Sequence, residues 1–349
     1  MMILKKLLML IKYKIGNFFK LKEIVYGDSY YPLKKRKKTL KRWLDNIVWI
    51  IKNNEANEYY NFYGLDIVGS NIKEYIPYEE FRKSRNKINR PYDPYSLVVL
   101  LRDKKLFYET MNMHKFPVAK IIGIIINGIV YDINMNRIEN IKKEIEGFPL
   151  FIKDNNGECA SFIEKINSYD EMQTLLCDLT RGVYIIQEAI KQISIFNNLN
   201  PYSVNSLRIV TTMDKYGETD VFSSIFRIGT TVSKNADNWS KGGIAIGVKN
   251  NGELNEFGFC KPQYGGRLNL HPDSGVIFKN FKIPYYKETI KLVCNAHKLY
   301  YGIGAIGWDV AITEEGPMII EGNDNWEISV MQGCNGPLKK EWQDVILNS

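Results

Sequence analysis

Cysteine and histidine are sparse, and the cysteines lack the spacing of a metal or redox site. Cys159, Cys177, Cys260, Cys294 and Cys334 never fall as C-x-x-C, which excludes a familiar zinc or redox motif, and their scatter is not a disulfide framework. A reducing cytoplasm is the expected compartment. Of the three histidines, His114 has no special setting, His297 lies on an expected helix as a structural residue, and His271, in a loop before Pro272, is placed to meet a substrate. The opening MMILKKLLMLIKYKIGNFFK is interrupted by lysines and has no small-residue cleavage site, so neither a signal peptide nor a spanning helix is expected. The chain has no evident internal repeat or low-complexity linker.

What is present is a globular composition: 349 residues, 45% hydrophobic and 25% charged, enough for two or three lobes around a sizeable core. The charge is unevenly placed. Residues 1–43 hold 13 Lys and Arg against 2 Asp and Glu, a net of +11, and the remaining 306 residues are at −3. Leu4, Leu7, Leu8, Ile11, Ile15 and Phe18 recur at near-helical spacing with lysines between them, ahead of the tract KKRKK at 34–38. This pattern fits peripheral contact of residues 1–43 with an anionic membrane, at its inner face, or with an acidic glycan. A helix packed on its own protein is the alternative. Nucleic acid is not an expected partner, because no recognised binding module accompanies the basic patch.

Helical patterns run to about Leu65, with Trp43, Ile47, Ile50 and Ile51 as one apolar stripe. The polar, proline-containing residues 84–94 are an expected boundary. A helix ending near Asn112 follows, then a hairpin turning at Asn127-Gly128, and FPLFIKDNNGECASFIEKI reads as strand, glycine-bearing loop, strand. Next come a helix near 168–179, a strand over 183–188, two long strands over 206–213 and 219–229, and a helix over about 285–301. Strands and helices mix without βαβ regularity, so the class is α+β.

The stretch IGWDVAITEEGPMIIEGNDNWE, residues 306–327, reads as a hairpin. With Glu314-Glu315-Gly316 as a three-residue loop, Thr313 pairs with Pro317, Ala311 with Ile319 and Asp309 with Glu321. Asp309, Ala311, Thr313, Ile319, Glu321 and Asn323 then share one face. Two opposed carboxylates repel, so they need a counter-cation or one raised pKa, and oxygen donors of this kind suit Mg2+. An ordinary hairpin with a wet acidic face is the alternative. Upstream, Lys153 ends an apolar strand before the turn Asp154-Asn155-Asn156-Gly157, which is able to fold over a ligand, and Lys104 sits at a helix start. Either lysine can neutralise phosphate or be a solvated surface charge.

The order of these parts resembles the ATP-grasp superfamily over roughly residues 96–333. RDKKLF followed by FPVAK is similar to the lead-in of ATP-grasp ligases, FPLFIK to the phosphate-binding lysine strand, YIIQEAI to the strand and hinge that hold adenine, and WDVAI with IIEGN to the metal hairpin. NPYSVNSLRIVT, FRIG, DNWSKGGIAIGV, HPDSG and GWDVAITEEGPMIIEGN resemble more closely the sugar-transfer-associated ATP-grasp group, relatives of alpha-L-glutamate ligase encoded among polysaccharide genes. The resemblance implies ATP held between two α+β lobes with Mg2+ bridging its phosphates. It divides the chain into a mostly helical region, 1–95, a lobe with the lysine strands and glycine loop, 96–190, and a lobe with the metal hairpin, 191–349. It assigns Lys104, Lys153, Gly157, Gln187 and Glu188 to the nucleotide, and Asp309, Glu321 and Asn323 to the metal. Many ATP-grasp ligases carry a basic residue two positions before the metal Asp, where this chain has Gly307. Another cation must then stabilise the transferred phosphoryl group, and Arg208 and Arg227 are the candidates beside Lys153. Asn205, Asn238, Gly242 and Gly243 are further candidates for the cleft lining.

The implied chemistry is carboxylate activation by ATP followed by amide formation, with an acyl phosphate between the two steps. The expected substrates are a small-molecule or glycan carboxylate, such as a uronic acid, and an amine or amino acid joined during surface-polysaccharide assembly. Phosphotransfer to a hydroxyl acceptor and non-catalytic nucleotide binding are the alternatives.

Overall fold

The structure is a computed structural model that describes residues 16, 19–89, 97–156, 162–234, 237 and 239–349. Two antiparallel sheets organise it. The smaller holds β1 (Ile121–Ile126), β2 (Ile129–Tyr131), β3 (Leu150–Asp154), β4 (Ile163–Ile166) and β5 (Val183–Glu188) in the order β2-β1-β5-β3-β4. Asn127 and Gly128 both take positive φ in the β1–β2 turn, the conformation that a two-residue hairpin of this twist requires. One face of this sheet packs on the helix Tyr169–Asp178 through Ile125, Leu150, Ile152, Ile186 and Met172. Ser168 caps that helix, its hydroxyl accepting from the Glu171 N–H.

The larger sheet runs β10-β9-β8-β7-β6-β11-β12. Its strands are β6 (Ser206–Met213), β7 (Thr219–Ile228), β8 (Ile244–Val248), β9 (Leu254–Phe259), β10 (Arg267–Leu268), β11 (Ala305–Thr313) and β12 (Gly316–Asn323). On one face Leu207, Ile209, Phe226, Trp308 and Val310 pack with Val293 and Ala296 of the helix Tyr286–His297. On the other, Val210, Ile225, Ala245 and Ala305 share a core with Tyr60, Phe62, Phe81, Trp326 and Trp342. Burial of these aromatic side chains, each worth several kcal/mol by the rule of about 25 cal/mol per Å2, ties the N-terminal region to the sheet. No helix among the described residues is long and apolar enough to cross a membrane.

Three expectations change. The hairpin keeps the Asp309–Glu321 pairing, but Val310 pairs with Ile319 and Thr313 with Gly316, leaving a two-residue loop. A bulge at Ile320 absorbs the difference, and it turns Ile319 to the core with Val310 and Ile312 instead of to the acidic face. Helix α1 (Thr39–Asn53) buries Arg42, Asp45, Asn46 and Trp49, while Ile51 is exposed. On its polar inner face Asp45 is paired, accepting from Lys37 at 2.9 Å and from the Tyr60 hydroxyl at 3.0 Å. Finally, of the expected boundary residues 84–94, residues 84–89 are the end of helix α2 (Tyr78–Asn89), whose Arg85 and Asn89 are buried, and residues 90–94 lie outside the described residues.

Candidate active site

Asp309 sits in the middle of β11, with Arg208 opposite it on β6 and Glu321 opposite it on β12. Alternation puts all three side chains on one face, and neighbouring strands supply the rest. The Arg208 guanidinium grips the Asp309 carboxylate through Nε and Nη2, the second bond at 2.8 Å. Arg227 of β7 reaches the same carboxylate at 3.0 Å, lies 3.4 Å from Asp237 and donates to Ser206 Oγ at 2.7 Å. Ser206 in turn donates to Asp237. Burial alone would raise the Asp309 carboxyl, but Arg208 and Arg227 outweigh it and hold the group well below the usual carboxylate range. Glu321 behaves oppositely. Burial, reinforced by the Asp309 charge, raises its pKa, against a 3.1 Å bond from Asn323 Nδ2.

The smaller sheet contributes the amines. Lys153 of β3 donates to Gln187 Oε1 on β5 at 2.8 Å, and Gln187 Nε2 is fixed by the Ala119 carbonyl at 3.2 Å. Burial pushes Lys153 down to about 8, with Glu321 opposing and Lys104 reinforcing the shift. The two sheets therefore meet electrostatically at Lys153 and Glu321. Lys104 begins helix α4 (Lys104–Met113) after the short helix α3 (Val99–Arg102). Its position is set by Asn155: the Lys104 N–H donates to the Asn155 carbonyl at 3.1 Å, the Lys105 N–H to Asn155 Oδ1 at 3.0 Å, and Asn155 Nδ2 to Asp103 at 2.7 Å. Asn155 is thus a buried clamp, not part of a loop free to close. Gly157 lies outside the described residues, as does Asn238.

Arg208, Arg227, Asp309, Glu321 and Asn323 form one polar group on the larger sheet, and Lys153, bonded to Gln187, feels the charges of Glu321 and Lys104. Glu188 stands apart, its carboxylate 3.5 Å from Lys120. Asn205 is wholly buried and bonds Gln192, the carbonyls of Phe196 and Asn200, and the Gly229 N–H, so it holds a loop instead of lining a cleft. Gly242 takes positive φ in the turn after Trp239. His271 is likewise wholly buried, its Nε2 2.9 Å from the Gly229 carbonyl, which leaves it no route to substrate. His297, bonded to Thr211 and the Ile303 carbonyl and pushed by burial down to about 4, is structural. Ser206 and Asp237 are not among the residues the sequence singles out, and Asn155 is expected there only as part of a mobile turn. They act through long-range contacts, and the only sequence signal for Asp237 is its place in ADNWSKGG. Gly307 also gains a reason: a Cβ there would come within 2.6 Å of the Trp326 Cβ.

An ionised carboxylate offers about four lone-pair positions. Asp309 spends three on the guanidiniums, which leaves the Glu321 carboxylate and Asn323 Oδ1 as the main oxygen donors, with one position of Asp309 to add. The raised Glu321 pKa marks negative charge short of a cation. A hard divalent ion with oxygen preference, such as Mg2+, fits that deficit and that donor set. Among the described residues no group of three or more His, Cys, Asp or Glu is arranged around a metal, so such an ion would depend on ligand oxygens or water for the rest of its shell.

The fold is that of the ATP-grasp proteins. Within it, the chain belongs to the sugar-transfer associated ATP-grasp family, whose model matches residues 83–345. Among solved structures the chain is similar to a biotin carboxylase–β,γ-ATP complex from Campylobacter jejuni, with 10% identity, 72% of this chain and 47% of that one covered, and a TM-score of 0.45. It is also similar to the D-alanine–D-alanine ligases of Coxiella burnetii, at 10% identity, coverage of 71% and 57%, and a TM-score of 0.43, and of Bacillus anthracis, at 13%, 71% and 66%, and 0.42. The chain spans between about half and two thirds of the length of these structures. No curated protein matches it.

Proposed function

We propose that the chain is an ATP- and Mg2+-dependent carboxylate–amine ligase that joins an amino acid or other amine to a sugar acid during cell-surface polysaccharide assembly. The observation that supports this reading is that Lys153 on one sheet lies within reach of the Glu321 charge on the other, where Glu321 opposes Asp309 and Asp309 is gripped by Arg208 and Arg227. When bound, ATP with its metal supplies the phosphoryl group that activates the carboxylate. Lys153 and Lys104 hold phosphate charge, and Asn155 keeps Lys104 in place for that task. Gln187, Glu188 and Gly157 belong to the nucleotide side. Glu321 and Asn323, with the remaining position of Asp309, would hold the metal.

Arg227 is braced by Asp309, Asp237 and Ser206 before any ligand arrives, and Arg208 by Asp309. Braced guanidiniums need little reorganisation as charge spreads over the transferring group, which is the condition for electrostatic stabilisation. The amine then forms its C–N bond at the activated acyl carbon, and phosphate leaves with the electron pair of the broken C–O bond. The same reading keeps the division into 1–95, 96–190 and 191–349, and brings residues 1–43 against an anionic membrane surface or acidic glycan; residues 1–15, 17 and 18 of that segment lie outside the described residues.

An ADP-release screen of uronic acids against amino acids tests the chemistry. Release is expected only when a carboxylate and an amine are both present. Release with a hydroxyl acceptor alone would make the chain a phosphotransferase, and ATP binding with no turnover in any pairing would make it a nucleotide-binding protein.

A further inference from the structure

Helix α1 has two faces, and the fold uses one. Opposite its buried Arg42, Asp45, Asn46 and Trp49, the side chains of Leu40, Leu44, Val48 and Ile51 are 71, 48, 46 and 76% exposed. Steps of four, four and three residues align them along one side of the helix. Leu33, just ahead of the helix, is fully exposed. Scattered apolar side chains on a surface need no explanation, but an aligned ridge marks a contact surface.

What borders the ridge selects the partner. Lys37, Lys38, Lys41 and Lys73 line an open groove of about 550 Å3 beside it, and Asp45 is the one acid among the groove's described lining residues. Asp45 is already ion-paired with Lys37 and Lys41. The groove therefore presents a net positive charge next to apolar side chains, and Lys34 and Lys35 extend that charge upstream, whereas Arg36 is ion-paired with the buried Asp66 at 2.8 Å. A protein partner with an apolar socket would account for the leucines but not the lysines, and a soluble polyanion for the lysines but not the leucines. A bilayer interface with anionic headgroups accounts for both.

We infer that the Leu40, Leu44, Val48 and Ile51 ridge with its lysine groove is a membrane-docking face, on which α1 lies in the plane of an anionic phospholipid surface and the groove receives headgroup phosphate. This rests on the reading that the basic N-terminal segment meets an anionic surface, and it moves the apolar part of the contact to α1. At 15 residues, α1 is about 22 Å long, so the ridge gives an extended footprint. The four residues penetrate only as far as their side chains, and the contact is reversible.

The test uses the full-length chain and sedimentation with vesicles of phosphatidylcholine alone or with phosphatidylglycerol added, without substrates. Binding is expected only to the anionic vesicles and should weaken as salt rises from about 0.1 to 0.5 M, where screening shortens to a few Å. The exposed double substitution Leu44→Asp with Ile51→Asp should leave the thermal midpoint unchanged and weaken binding by at least about tenfold. Lys38→Glu with Lys73→Glu should cost at least about twentyfold, each basic side chain being worth about fivefold. Lys34→Glu with Lys35→Glu separates the two readings. If it abolishes binding while the ridge variant binds like wild type, the docking face is overturned and the basic segment stands. If wild type ignores anionic vesicles, both fail. A concentration-dependent dimer that the ridge variant loses, in a protein that does not bind vesicles, would assign the ridge to a second copy of the chain and overturn the proposal.

Discussion

Burial pushes the Lys153 ammonium down to about 8, so a charge that an incoming phosphate needs disappears within an accessible pH range. The folded chain releases this proton near pH 8, whereas an unfolded chain keeps it to about 10.4. Between those limits the unfolded state binds more protons, so the stability linked to this group rises with pH across that window, and below pH 8 the full cost of burying the charge remains. Affinity for ATP should move the other way and weaken as pH passes 8. Lys153→Met keeps the stem and removes the charge; the expected loss of ATP affinity is about 1.5–3 kcal/mol, or roughly ten- to over a hundredfold, with a flattened pH dependence. Calorimetry at about pH 7 and pH 9 reads both effects, and a Kd unaffected by either change would remove Lys153 from the phosphate site. At Glu321 the raised pKa means that ionisation opposes folding: the cost appears above the carboxyl's unfolded value and grows as pH rises through the folded one. Glu321→Gln escapes that cost, so its apo melting midpoint near neutral pH should rise by about 1–2 °C, the scale of 1 kcal/mol in a chain of 349 residues. ADP release should be lost at any Mg2+ concentration, and full turnover in this variant would remove Glu321 from the metal site.

At the scale of elements, the end of β12 is held from outside the sheet. Arg102 of α3 forks onto Asp324 at 2.8 and 3.0 Å, and Arg85 of α2 donates to the Trp326 carbonyl and to Asn325 Oδ1. Removing the buried Arg85 as Arg85→Met leaves the Trp326 carbonyl unsatisfied, and the expected cost is about 2–3 kcal/mol in urea unfolding, near the upper range for a stranded buried group. Because Trp326 packs over Gly307 beside Arg208, turnover should fall in the same variant; an unchanged urea midpoint would mean that the loop does not lean on α2. Local chemistry made much of this architecture legible in the sequence. Asn127-Gly128 marks its turn, and alternation the opposition of Asp309 to Glu321. The bulge at Ile320 was not legible, since one extra residue changes which side chains face the core without changing the apolar pattern. Nor was the inner face of α1, where periodicity finds a stripe but pairing with Lys37 and Tyr60 decides that Asp45 is buried and Ile51 is not. Arg208 and Arg227 could be picked out as cations on strands, but their attachment to Asp309, and the bracing by Ser206 and Asp237, depend on which strands become neighbours.

At the scale of the whole molecule, the two sheets carry the two halves of the proposed site on separate cores. The smaller sheet packs around Ile125, Leu150, Ile152, Ile186 and Met172, apart from the cores on the faces of the larger sheet. Among the described residues, links near the site include the Asn155 clamp onto residues 103–105, the Ile319 N–H donating to the Pro117 carbonyl at 2.9 Å and a parallel bridge of Val118 with Ile319. A nucleotide that touches Lys153 and Gln187 on one side and Glu321 and Asn323 on the other would add a further link between the two sheets. Ligand at about a hundred times its Kd stabilises by about 2.7 kcal/mol, and the gain is expected to be largest in the smaller sheet, whose core is smaller than that of the larger sheet. Hydrogen exchange with saturating ADP and Mg2+ should therefore slow over residues 150–154 and 183–188 more than over 206–213. The effect should vanish in Lys153→Met at the same ligand concentration and persist in His271→Asn, if that variant folds, because His271 lies in a buried network away from the ligand. Protection confined to the larger sheet would mean that the nucleotide does not bridge the two, and would separate Lys153 from the carboxylates it faces.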